Sequence, residues 1–422
     1  MRVLWITNYP IAAHRKQLGA MSAQGGGWMD AAFELLTQLP DVELGLASVY
    51  SCANIIIHEV NGIKMYTVPN DVKHGLYQYN KKENIDLWTQ ISSDFKPDVL
   101  HIWGTEMAHS LCALCAMPQV PAVVYLQGLM AQIYNHDNSG IDLATKVKYT
   151  TIRDIIENKG IHINNVFEAK RVAIEREIIK RANNVILENE WAEINCQVIS
   201  GRCRVFRSLL PINKIFANYN WSYGKAVPNT IFTVAGGYPI KGHHILLKAL
   251  AIIKERYPDV KLIIPGYNPL NDDTGLRRML PHGYTKYVRS LIKKCGITEN
   301  IQFTGKITAD EMARYMSESR VFVMPSAIEN HSSTLIEAMM VGAPCVSSYV
   351  GGILDYFKNG VNGFMYRYDE PETLAGLIMK LFEDKELSER IGENAKVVTR
   401  QARLSINMAD DFIKIYHSVV IK

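Results

Sequence analysis

The stretch from Val321 to Val346, VFVMPSAIENHSSTLIEAMMVGAPCV, constrains the fold more than any other part of the chain. Val321 to Met324 is a short apolar run that ends at Pro325, which predicts a buried strand. A polar turn rich in helix-capping residues follows, and then a helix predicted over Leu335 to Val341 that ends at Gly342. The next apolar run predicts a second strand. The order strand, loop, helix and strand is typical of an α/β fold with a parallel sheet.

Two carboxylates, Glu329 and Glu337, bracket this loop with seven residues between them. The spacing predicts Glu329 at the end of the strand and Glu337 in the first turns of the helix. Both then face the crevice at the carboxyl ends of the strands, where α/β sheets bind ligands. The helix N-terminus between them suits a phosphate, and the carboxylates can accept hydrogen bonds from sugar hydroxyls.

The same residues allow a purely structural interpretation. Thr334 and Glu337 have the spacing of a capping box, in which the glutamate side chain bonds the start of the helix. Any Ser or Thr followed three positions later by Glu matches that pattern, so the local sequence leaves both interpretations open.

Bulk properties exclude several classes of protein. The 422 residues correspond to two or three domains, and the hydrophobic content of 48% and charged content of 21% are those of a soluble globular protein. A net charge of +4 is too small to indicate nucleic-acid binding. The start, MRVLWITNYP, predicts a short strand and not a signal peptide, and no run reaches the roughly 18 apolar residues of a membrane span.

The seven cysteines form no framework of disulfides or metal ligands. Cys112 and Cys115 make a lone C-x2-C pair within a helical pattern, and a zinc site would need further ligands. We therefore expect core thiols, no metal site and the reducing cytoplasm.

The first half of the chain repeats the pattern of strands that end in polar or glycine residues. Predicted strands cover Arg2–Thr7, Asp98–Trp103, Ala122–Leu126 and Val185–Leu187. Gly25, Gly26 and Gly27 open a helix, and such a glycine-rich turn lets the backbone approach a phosphate. His101 lies near the end of one strand and Gln127 follows the next, so both are expected near one edge of the sheet.

A basic, mostly helical stretch runs from Asp142 to Ala182. Between Lys146 and Arg181 it has nine Lys and Arg against five Asp and Glu, a local excess of four positive charges. The pattern is compatible with a solvated helix face or with a surface for anionic lipid.

The second half begins after a predicted linker over Pro211–Pro228. A strand over Thr230–Ala235 leads into Gly236, Gly237 and Lys241, and a helix is predicted over His243–Arg256. A glycine loop that delivers a lysine between strand and helix is a phosphate-binding device, although the spacing is not that of a P-loop. Further predicted elements are the strands Val260–Ile264 and Asn300–Thr304 and the helices Asp310–Ser319 and Ala395–Val420.

The spacing E-x7-E, followed by EAMMVGAPCVSSYVGGILDYFKNGVNGFMY, closely resembles the retaining glycosyltransferases of family four. The match is specific from Glu329 to Tyr366, strong from Thr230 onward and loose before that. It implies the GT-B fold, with two Rossmann-like domains facing a central cleft. It also implies that Glu337 binds the ribose of a nucleotide sugar and Glu329 the transferred sugar.

The resemblance extends to the residues around the donor diphosphate. It implies that the backbone of Ser332, Ser333 and Thr334 binds the diphosphate, together with Gly26, Gly27, Gly236, Gly237 and Lys241. Gly236 departs from the family pattern, because it occupies the position of an arginine that shares the diphosphate charge with the lysine.

A second departure concerns the acceptor side. His101 matches the first histidine of the family pattern D-x-x-H-x-H, but Trp103 replaces the second, and Gln127 stands where many members have a further histidine. His101 and Gln127 are therefore the candidates for the acceptor or sugar side. A histidine at a strand end is equally compatible with a structural role.

Taken together, the sequence predicts an α/β protein of two domains, residues 1–212 with a crossing helix over 395–422, and residues 213–394. The expected reaction is transfer of a hexose from a UDP- or GDP-type donor to an acceptor hydroxyl, with retention and without a metal or cofactor. Lys241 and Glu329 are the residues expected at the reacting centre, and no nucleophile is identified.

The biological setting follows from the same resemblance. We expect a glycan, glycolipid or other hydroxyl acceptor, a role in polysaccharide or glycolipid assembly and a cytoplasmic location, with peripheral contact at the inner membrane face left open. Two rivals remain, a nucleotide-sugar epimerase of similar fold and a non-catalytic sugar-nucleotide sensor.

Overall fold

The structure is a computed structural model that describes residues 1–19, 27–38, 41–73, 76–157, 161, 166–234, 236–266, 268–270 and 281–420. It contains two compact α/β units. Unit 1 consists of Met1–Tyr134, Val166–Asn213 and Ser405–Lys422, and unit 2 of Asn135–Asn165 and Lys214–Leu404. Gly26, expected at the donor diphosphate, lies outside the described residues.

The strands, numbered along the chain, are β1 (Arg2–Thr7), β2 (Glu43–Tyr50), β3 (Ile56–Val60), β4 (Ile63–Pro69), β5 (Val72–Lys73), β6 (Leu76–Tyr77), β7 (Val99–Trp103), β8 (Ala122–Tyr125), β9 (Asn184–Leu187), β10 (Arg204–Arg207), β11 (Val227–Phe232), β12 (Lys261–Pro265), β13 (Ile301–Gly305), β14 (Ser319–Met324), β15 (Cys345–Ser348) and β16 (Phe364–Tyr366).

The helices are α1 (Ala12–Gln17), α2 (Gly27–Leu36), α3 (Lys82–Phe95), α4 (Ala108–Ala116), α5 (Met130–His136), α6 (Leu143–Tyr149), α7 (Ile152–Glu157), α8 (Val166–Ala182), α9 (Glu190–Ser200), α10 (His243–Arg256), α11 (Gly283–Lys294), α12 (Ala309–Glu318), α13 (Ser333–Val341), α14 (Pro371–Glu383), α15 (Lys385–Leu404) and α16 (Met408–Val420). No helix in these described ranges is both long enough and apolar enough to span a membrane.

Unit 1 is built on an eight-stranded sheet in the order β10-β9-β8-β7-β1-β2-β4-β3. All neighbouring strands run parallel except β3 and β4, which are antiparallel. The chain adds β2 on one side of β1 and later β7 on the other, so the topological switch point lies between β1 and β7. Cys112 on α4 is buried in the core beneath this sheet, in agreement with the predicted core thiol.

Unit 2 is built on a six-stranded parallel sheet in the order β13-β12-β11-β14-β15-β16. The central strand β14 is buried along its whole length, and its apolar part, Val321 to Met324, is the run from which a buried strand was predicted. The chain adds β12 and β13 on one side of β11 and then returns to place β14 on the other. The switch point of this sheet therefore lies between β11 and β14.

Most predicted elements agree with the structure to within a few residues. The first strand, Arg2–Thr7, and the helix His243–Arg256 have the predicted bounds. The helix predicted over Ala395–Val420 is instead interrupted, because α15 ends at Leu404 and α16 begins at Met408. Asn407 caps the new helix, since its backbone oxygen accepts from the Asp411 N–H at 3.2 Å.

Residues 135–165 also differ from the expected division of the chain, because they pack with unit 2 and not with the first domain. The fully buried Asp154 on α7 accepts hydrogen bonds from the Gly283 N–H at 2.9 Å and from His282 at 2.9 Å, at the start of α11. The Tyr149 hydroxyl donates to Ser290 Oγ at 2.7 Å. The basic stretch of the sequence analysis is thus divided, with α6 and α7 in unit 2 and α8 in unit 1.

Candidate active site

A cavity of about 250 Å³ lies at the carboxyl ends of β11 and β14. It is lined by Thr233, Val234, Lys241, Phe322, Val323, Met324, Pro325, Ser326, Glu329, His331, Ser332, Ser333 and Thr334. The two strands are neighbours at the switch point of the unit 2 sheet. Open α/β sheets bind their ligands at such a position, so this cavity is the candidate active site.

An ion pair stands in the cavity. Lys241 Nζ lies 2.6 Å from Glu329 Oε1, and the two side chains are 33% and 14% exposed. Burial opposes the lysine charge, but the attraction and hydrogen bond of Glu329 outweigh it and raise the pKa of Lys241. The structure therefore brings together the two residues that were predicted at the reacting centre, as a charged pair.

The lysine is positioned by the turn that precedes α10. Gly242 has a φ of 67°, and a Cβ at this position would lie 1.7 Å from the Pro325 backbone oxygen. Only glycine allows this close approach of the turn to the loop after β14. The Ala327 N–H also donates to the Ile240 oxygen at 2.7 Å. Lys241 is therefore held next to the loop that leads to Glu329.

The backbone of Glu329 is fixed from the other side. Gly351 has a φ of 54°, and a Cβ there would lie 1.9 Å from the Glu329 backbone oxygen. The same oxygen accepts a hydrogen bond from the Gly352 N–H at 3.0 Å. A second glycine turn thus sets the direction in which the Glu329 side chain leaves the backbone.

Helix α13 begins at the wall of the cavity. Its N-cap is Ser332, whose Oγ accepts from the Leu335 N–H at 3.3 Å, and the Ser332 N–H donates to the Tyr356 hydroxyl at 3.3 Å. The N–H groups of Ser333 and Thr334 precede the first intrahelical hydrogen bond, which runs from Ile336 to Ser332. These two N–H groups remain suited to an anion, as predicted for this turn.

The capping-box interpretation of Glu337 is wrong. The N-cap is Ser332 and not Thr334, so the position that closes a capping box is Leu335. Glu337 lies further along α13, beyond the residues that line the cavity. No described residue forms a hydrogen bond or an ion pair with its carboxyl group, and burial raises its pKa to about 8. A half-buried carboxyl without a partner is more typical of a ligand-binding position than of a structural one.

The glycines of the predicted diphosphate loops have different surroundings. Gly236 and Gly237 line a separate cavity of about 20 Å³, which is large enough for about one water molecule. A Cβ at Gly236 would meet its nearest atoms, in Lys241 and Tyr238, at 3.6 Å, so packing alone does not require glycine here. In unit 1, Gly27 is the first residue of α2.

His101 does not lie where an acceptor could reach it. Its side chain is fully buried in β7, where its ring stacks on Trp103 at 4.5 Å and its Nδ1 lies 2.6 Å from the Tyr416 hydroxyl. Burial lowers its pKa to about 3. The structure thus gives His101 a role in the core of unit 1, because it lies within the strand and not beyond its end. Gln127 follows β8 and is half-buried.

Two further residues were not assigned from the sequence. Glu106 follows β7, and its Oε2 accepts a hydrogen bond from Asn8 Nδ2 at 2.8 Å, just after β1. Burial raises the pKa of this carboxyl group. It therefore stands at the switch point of the unit 1 sheet, and the polar residues beyond the strand were the available signal. His331 lines the unit 2 cavity, and its polar turn gave no reason to choose it over its neighbours.

Comparison with solved structures identifies the fold. The whole chain is similar to HepE from Anabaena, solved in complex with UDP and glucose, with a TM-score of 0.67, 17% sequence identity and 100% coverage of both chains. HepE has the GT-B arrangement of two α/β domains with parallel sheets, and the two units described above have the same construction. The protein is therefore a GT-B protein. Residues 218–398 match the model of the family described as glycosyl transferases group 1.

Two relatives show how far the similarity extends. The D-inositol 3-phosphate glycosyltransferase of Streptomyces griseus is 30% identical over 159 residues, which is 37% of this chain and 32% of that protein. The N-acetyl-α-D-glucosaminyl L-malate synthase of Bacillus anthracis is 27% identical over 367 residues, which is 87% of this chain and 85% of that protein. The chain thus spans about a third of the length of the first relative and most of the second.

Proposed function

We propose that the protein transfers a sugar from a nucleoside-diphosphate sugar to an acceptor hydroxyl, with retention of configuration at the anomeric carbon. The observation that carries this proposal is the Lys241–Glu329 pair, at 2.6 Å, in a cavity that also contains the N-terminus of α13. A cation and free N–H groups suit a diphosphate, while the adjacent carboxylate suits sugar hydroxyls.

The chemistry requires stabilisation of the leaving diphosphate more than it requires a nucleophile. As the bond from the anomeric carbon to the diphosphate oxygen breaks, negative charge grows on that oxygen. Lys241 and the N–H groups of Ser333 and Thr334 are preorganised to stabilise it. The acceptor oxygen then bonds the same face of the anomeric carbon, and a donor phosphate oxygen takes its proton. Glu329 holds a sugar hydroxyl, and Glu337 holds the ribose.

The relatives support the choice of donor and acceptor class. HepE was solved with UDP and glucose, and the names of the two relatives describe a glycosyltransferase and a glucosaminyl-transferring synthase. We infer a UDP- or GDP-type hexose donor and a glycan, glycolipid or other hydroxyl acceptor, as in polysaccharide or glycolipid assembly. A cytoplasmic location fits such a donor.

A nucleotide-sugar panel tests this function directly. Thermal-shift measurements with UDP- and GDP-sugars should first reveal the donor, because a ligand that binds only the folded state stabilises it. The preferred donor is then incubated with candidate acceptors, and free nucleoside diphosphate and product anomer are measured. Release only in the presence of an acceptor, with a retained anomer, supports the transferase.

The same assay separates the two rivals. An epimerase would interconvert donor sugars without releasing nucleoside diphosphate, and a sensor would bind the donor without any turnover. Either result would contradict the proposed transfer.

We propose further that neither a metal ion nor a cofactor other than the donor takes part. Within the described residues, no group of three or more His, Cys, Asp or Glu side chains is arranged to hold a metal ion. The protein's own cations and N–H groups are expected to carry the diphosphate charge. Activity should then persist in EDTA, and restoration of a silenced enzyme by Mg²⁺ or Mn²⁺ would contradict the proposal.

A specific surface favours a peripheral membrane contact. Five aliphatic side chains on α6 and α7 are between 61% and 78% exposed, namely Leu143, Val147, Ile152, Ile155 and Ile156. The acidic residues of this segment are engaged, because Asp142 caps α6, Asp154 is buried at α11 and Glu157 pairs with Arg153. Lys146 and Lys148 have no carboxylate partner among the described residues. We infer that α6 and α7 contact an anionic lipid surface, to which each lysine contributes roughly 1 kcal/mol.

Vesicle flotation tests this contact. The wild type should float with anionic vesicles more than with neutral ones, and the double substitution Ile155→Asp, Ile156→Asp should abolish the difference. Ile194→Asp, Val198→Asp is a matched control, because it adds the same two charges at residues that are 58% and 80% exposed on α9, outside the segment. Equal recovery with neutral and anionic lipid would leave a solvated face as the better explanation.

A further inference from the structure

Two carboxyl groups stand at the carboxyl edge of the unit 1 sheet. Glu106 follows β7 and is half-buried, whereas Glu175 reaches the same edge from α8 and is fully buried. Burial and the nearby charge of Glu106 together raise the pKa of Glu175 to about 7. Among the described residues, no Lys, Arg or His forms an ion pair with either group. This edge therefore carries negative charge that those residues do not neutralise.

Glu175 joins the two loops that form this edge. Its Oε1 accepts hydrogen bonds from the Thr105 hydroxyl at 3.0 Å and from the Met130 N–H at 2.6 Å. Its Oε2 accepts from the Ala131 N–H at 3.0 Å. Thr105 follows β7, whereas Met130 and Ala131 begin α5, after the neighbouring strand β8. One buried side chain thus fixes the loop that carries the adjacent Glu106.

The carboxyl group of Glu106 is directed to the point where three strands end. Gly104 has a φ of 86°, and a Cβ there would lie 2.1 Å from Glu106 Oε2, so glycine lets the side chain fold back over the end of β7. Its Oε2 accepts from Asn8 Nδ2 at 2.8 Å, just after β1. Its Oε1 lies 3.5 Å from the position of a Cβ at Gly128, after β8. Open α/β sheets bind their ligands at such a switch point.

The amide group of Asn8 supplies a second sign of a ligand. Its nitrogen donates to Glu106, but its Oδ1 is buried without a hydrogen-bond partner among the described residues, and the side chain is 8% exposed. A buried polar atom without a partner is costly, so native structures usually provide one. A ligand with several hydroxyl groups can donate to both this oxygen and the carboxylate of Glu106.

The charge at this edge discriminates among such ligands. A hydroxyl group donates a strong hydrogen bond to a carboxylate. A carboxylate or phosphate on the ligand would instead be repelled by Glu106 and Glu175, or one of the groups would have to take up a proton. An uncharged sugar bears neither cost.

We propose that the carboxyl edge of unit 1 binds an uncharged polyhydroxyl acceptor, such as a neutral sugar unit, through Glu106 and the amide oxygen of Asn8. Glu175 is the positioning residue that holds Glu106 in place through the loop of Thr105. This inference rests on the proposed function, because it takes unit 1 to provide the acceptor site. It narrows the acceptor to compounds without a carboxylate or phosphate beside the reacting hydroxyl.

Matched pairs of acceptors test the proposal. Methyl glucoside and methyl galactoside each differ from the corresponding methyl uronide by one carboxylate. Transfer to all four is measured with the preferred donor at about pH 8, where a carboxyl group with a pKa near 7 is mostly charged. For the wild type, kcat/KM should be at least about 100-fold higher for the neutral glycoside than for its uronide, in line with the cost of bringing like charges together.

Removal of either carboxylate should reduce this preference. The ratio of the two kcat/KM values should fall by about 10-fold in Glu106→Gln and by about 3-fold in Glu175→Gln, while the affinity for UDP or GDP stays the same. A purely structural role of Glu175 would affect both substrates equally and leave the ratio unchanged. If Glu175→Gln does not fold, Glu106→Gln decides, because it keeps the shape of the side chain.

Asp94→Asn is the matched control. It also removes one carboxylate from unit 1, but Asp94 bonds Lys64 Nζ at 3.0 Å near the start of β4, at the opposite end of the sheet. This variant should keep the wild-type ratio.

The outcomes separate this inference from the proposed function. If the uronides are used as well as the neutral glycosides, or if neither glutamate variant changes the ratio, the inference fails while the transferase stands. The same holds if every acceptor that is found carries a carboxylate or phosphate beside the reacting hydroxyl. If no acceptor causes release of nucleoside diphosphate, the proposed function fails, and this inference fails with it.

Discussion

The carboxyl edges of the two sheets carry similar sequence signals but very different structures. In unit 2, the edge at β11 and β14 opens into a cavity that contains the Lys241–Glu329 pair. In unit 1, the histidine chosen on β7 is fully buried and bonded to the Tyr416 hydroxyl. Glu106, three residues beyond the end of β7, stands at the edge instead.

The difference shows how far beyond a strand a functional residue must lie. Glu329 is five residues past the end of β14, whereas His101 is inside β7 and its ring packs against aromatic side chains of the core, among them Phe412 and Tyr416. Side chains within a central parallel strand are covered by helices on both faces. Only the residues after the last ladder hydrogen bond reach the edge where ligands bind, so position relative to the strand end matters more than residue type.

The largest effect on activity is expected at Lys241, at the carboxyl edge of the unit 2 sheet. Lys241→Ala should lower kcat by about 10²–10³, in line with the loss of one preorganised group that stabilises the leaving diphosphate. Steady-state kinetics with the preferred donor measure it, and Lys241→Arg should rescue only in part because the guanidinium has a different shape. If Lys241→Ala is folded and has a nearly normal kcat, Lys241 does not stabilise the leaving diphosphate.

Substitution of the buried His101 in unit 1 should change the stability of the protein and not its catalysis. His101→Ala should lower the free energy of unfolding by roughly 3 kcal/mol, because it opens a cavity and removes one of the two hydrogen bonds of the Tyr416 hydroxyl, which keeps only the bond from Trp5 Nε1. His101→Phe keeps the ring and should cost about half as much. Denaturant unfolding curves measure the loss of stability, and the acceptor KM measures any effect on catalysis. Both are measured below the melting temperature. If the acceptor KM rises while the stability is unchanged, His101 contacts the substrate after all.

Glu337 connects stability to the nucleotide site. Its pKa is raised to about 8 from 4.5, so between these values the folded state holds a proton that the unfolded state has lost. Its contribution to stability therefore falls as the pH rises through that window. Glu337→Gln should stabilise the unliganded protein by roughly 2 kcal/mol near pH 9 while weakening donor binding. Thermal melts across pH measure the first effect and titration with UDP or GDP the second. An unchanged nucleotide affinity would remove the ribose assignment.

The smallest effect is expected at the edge of unit 1. Glu106→Gln keeps the shape of the side chain and its hydrogen bond to Asn8. A neutral amide oxygen, however, accepts a hydrogen bond from the hydroxyl of the acceptor substrate more weakly than a carboxylate does. The acceptor KM should rise by about 10-fold, while the affinity for the nucleotide stays the same. Asn8→Ser is a useful companion, because it loosens Glu106 without removing its charge. If both variants have the same acceptor KM as the wild type, the acceptor substrate binds elsewhere.

Local sequence patterns predicted the helices and strands well, whereas long-range contacts became known only from the structure. The strand Arg2–Thr7 and the helix His243–Arg256 follow from apolar runs bounded by glycine, asparagine and proline. The start of α13 could not be fixed, because Ser332, Ser333 and Thr334 are all good N-caps and only packing selects Ser332.

The members of the site show the same limit. Glu329 and Lys241 were singled out by spacing and by a resemblance, yet their pairing joins positions 88 residues apart. The side chains of Arg403 and His331 are also in contact, although they are 72 positions apart, and nothing in the sequence near either residue specifies the other. The interruption at Asn407 was readable in principle, since asparagine is a preferred N-cap, but the apolar periodicity continues on both sides of it.

The contribution of α16 to unit 1 has a consequence for how the protein is made. Phe412 and Tyr416 cover the ring of His101, and the hydrogen bond from Tyr416 reaches a residue 315 positions earlier. During synthesis, one face of the first sheet therefore stays bare while unit 2 emerges from the ribosome. Unit 1 is completed last although its sheet is made first, so shortened or stalled chains expose an aromatic surface that chaperones must protect.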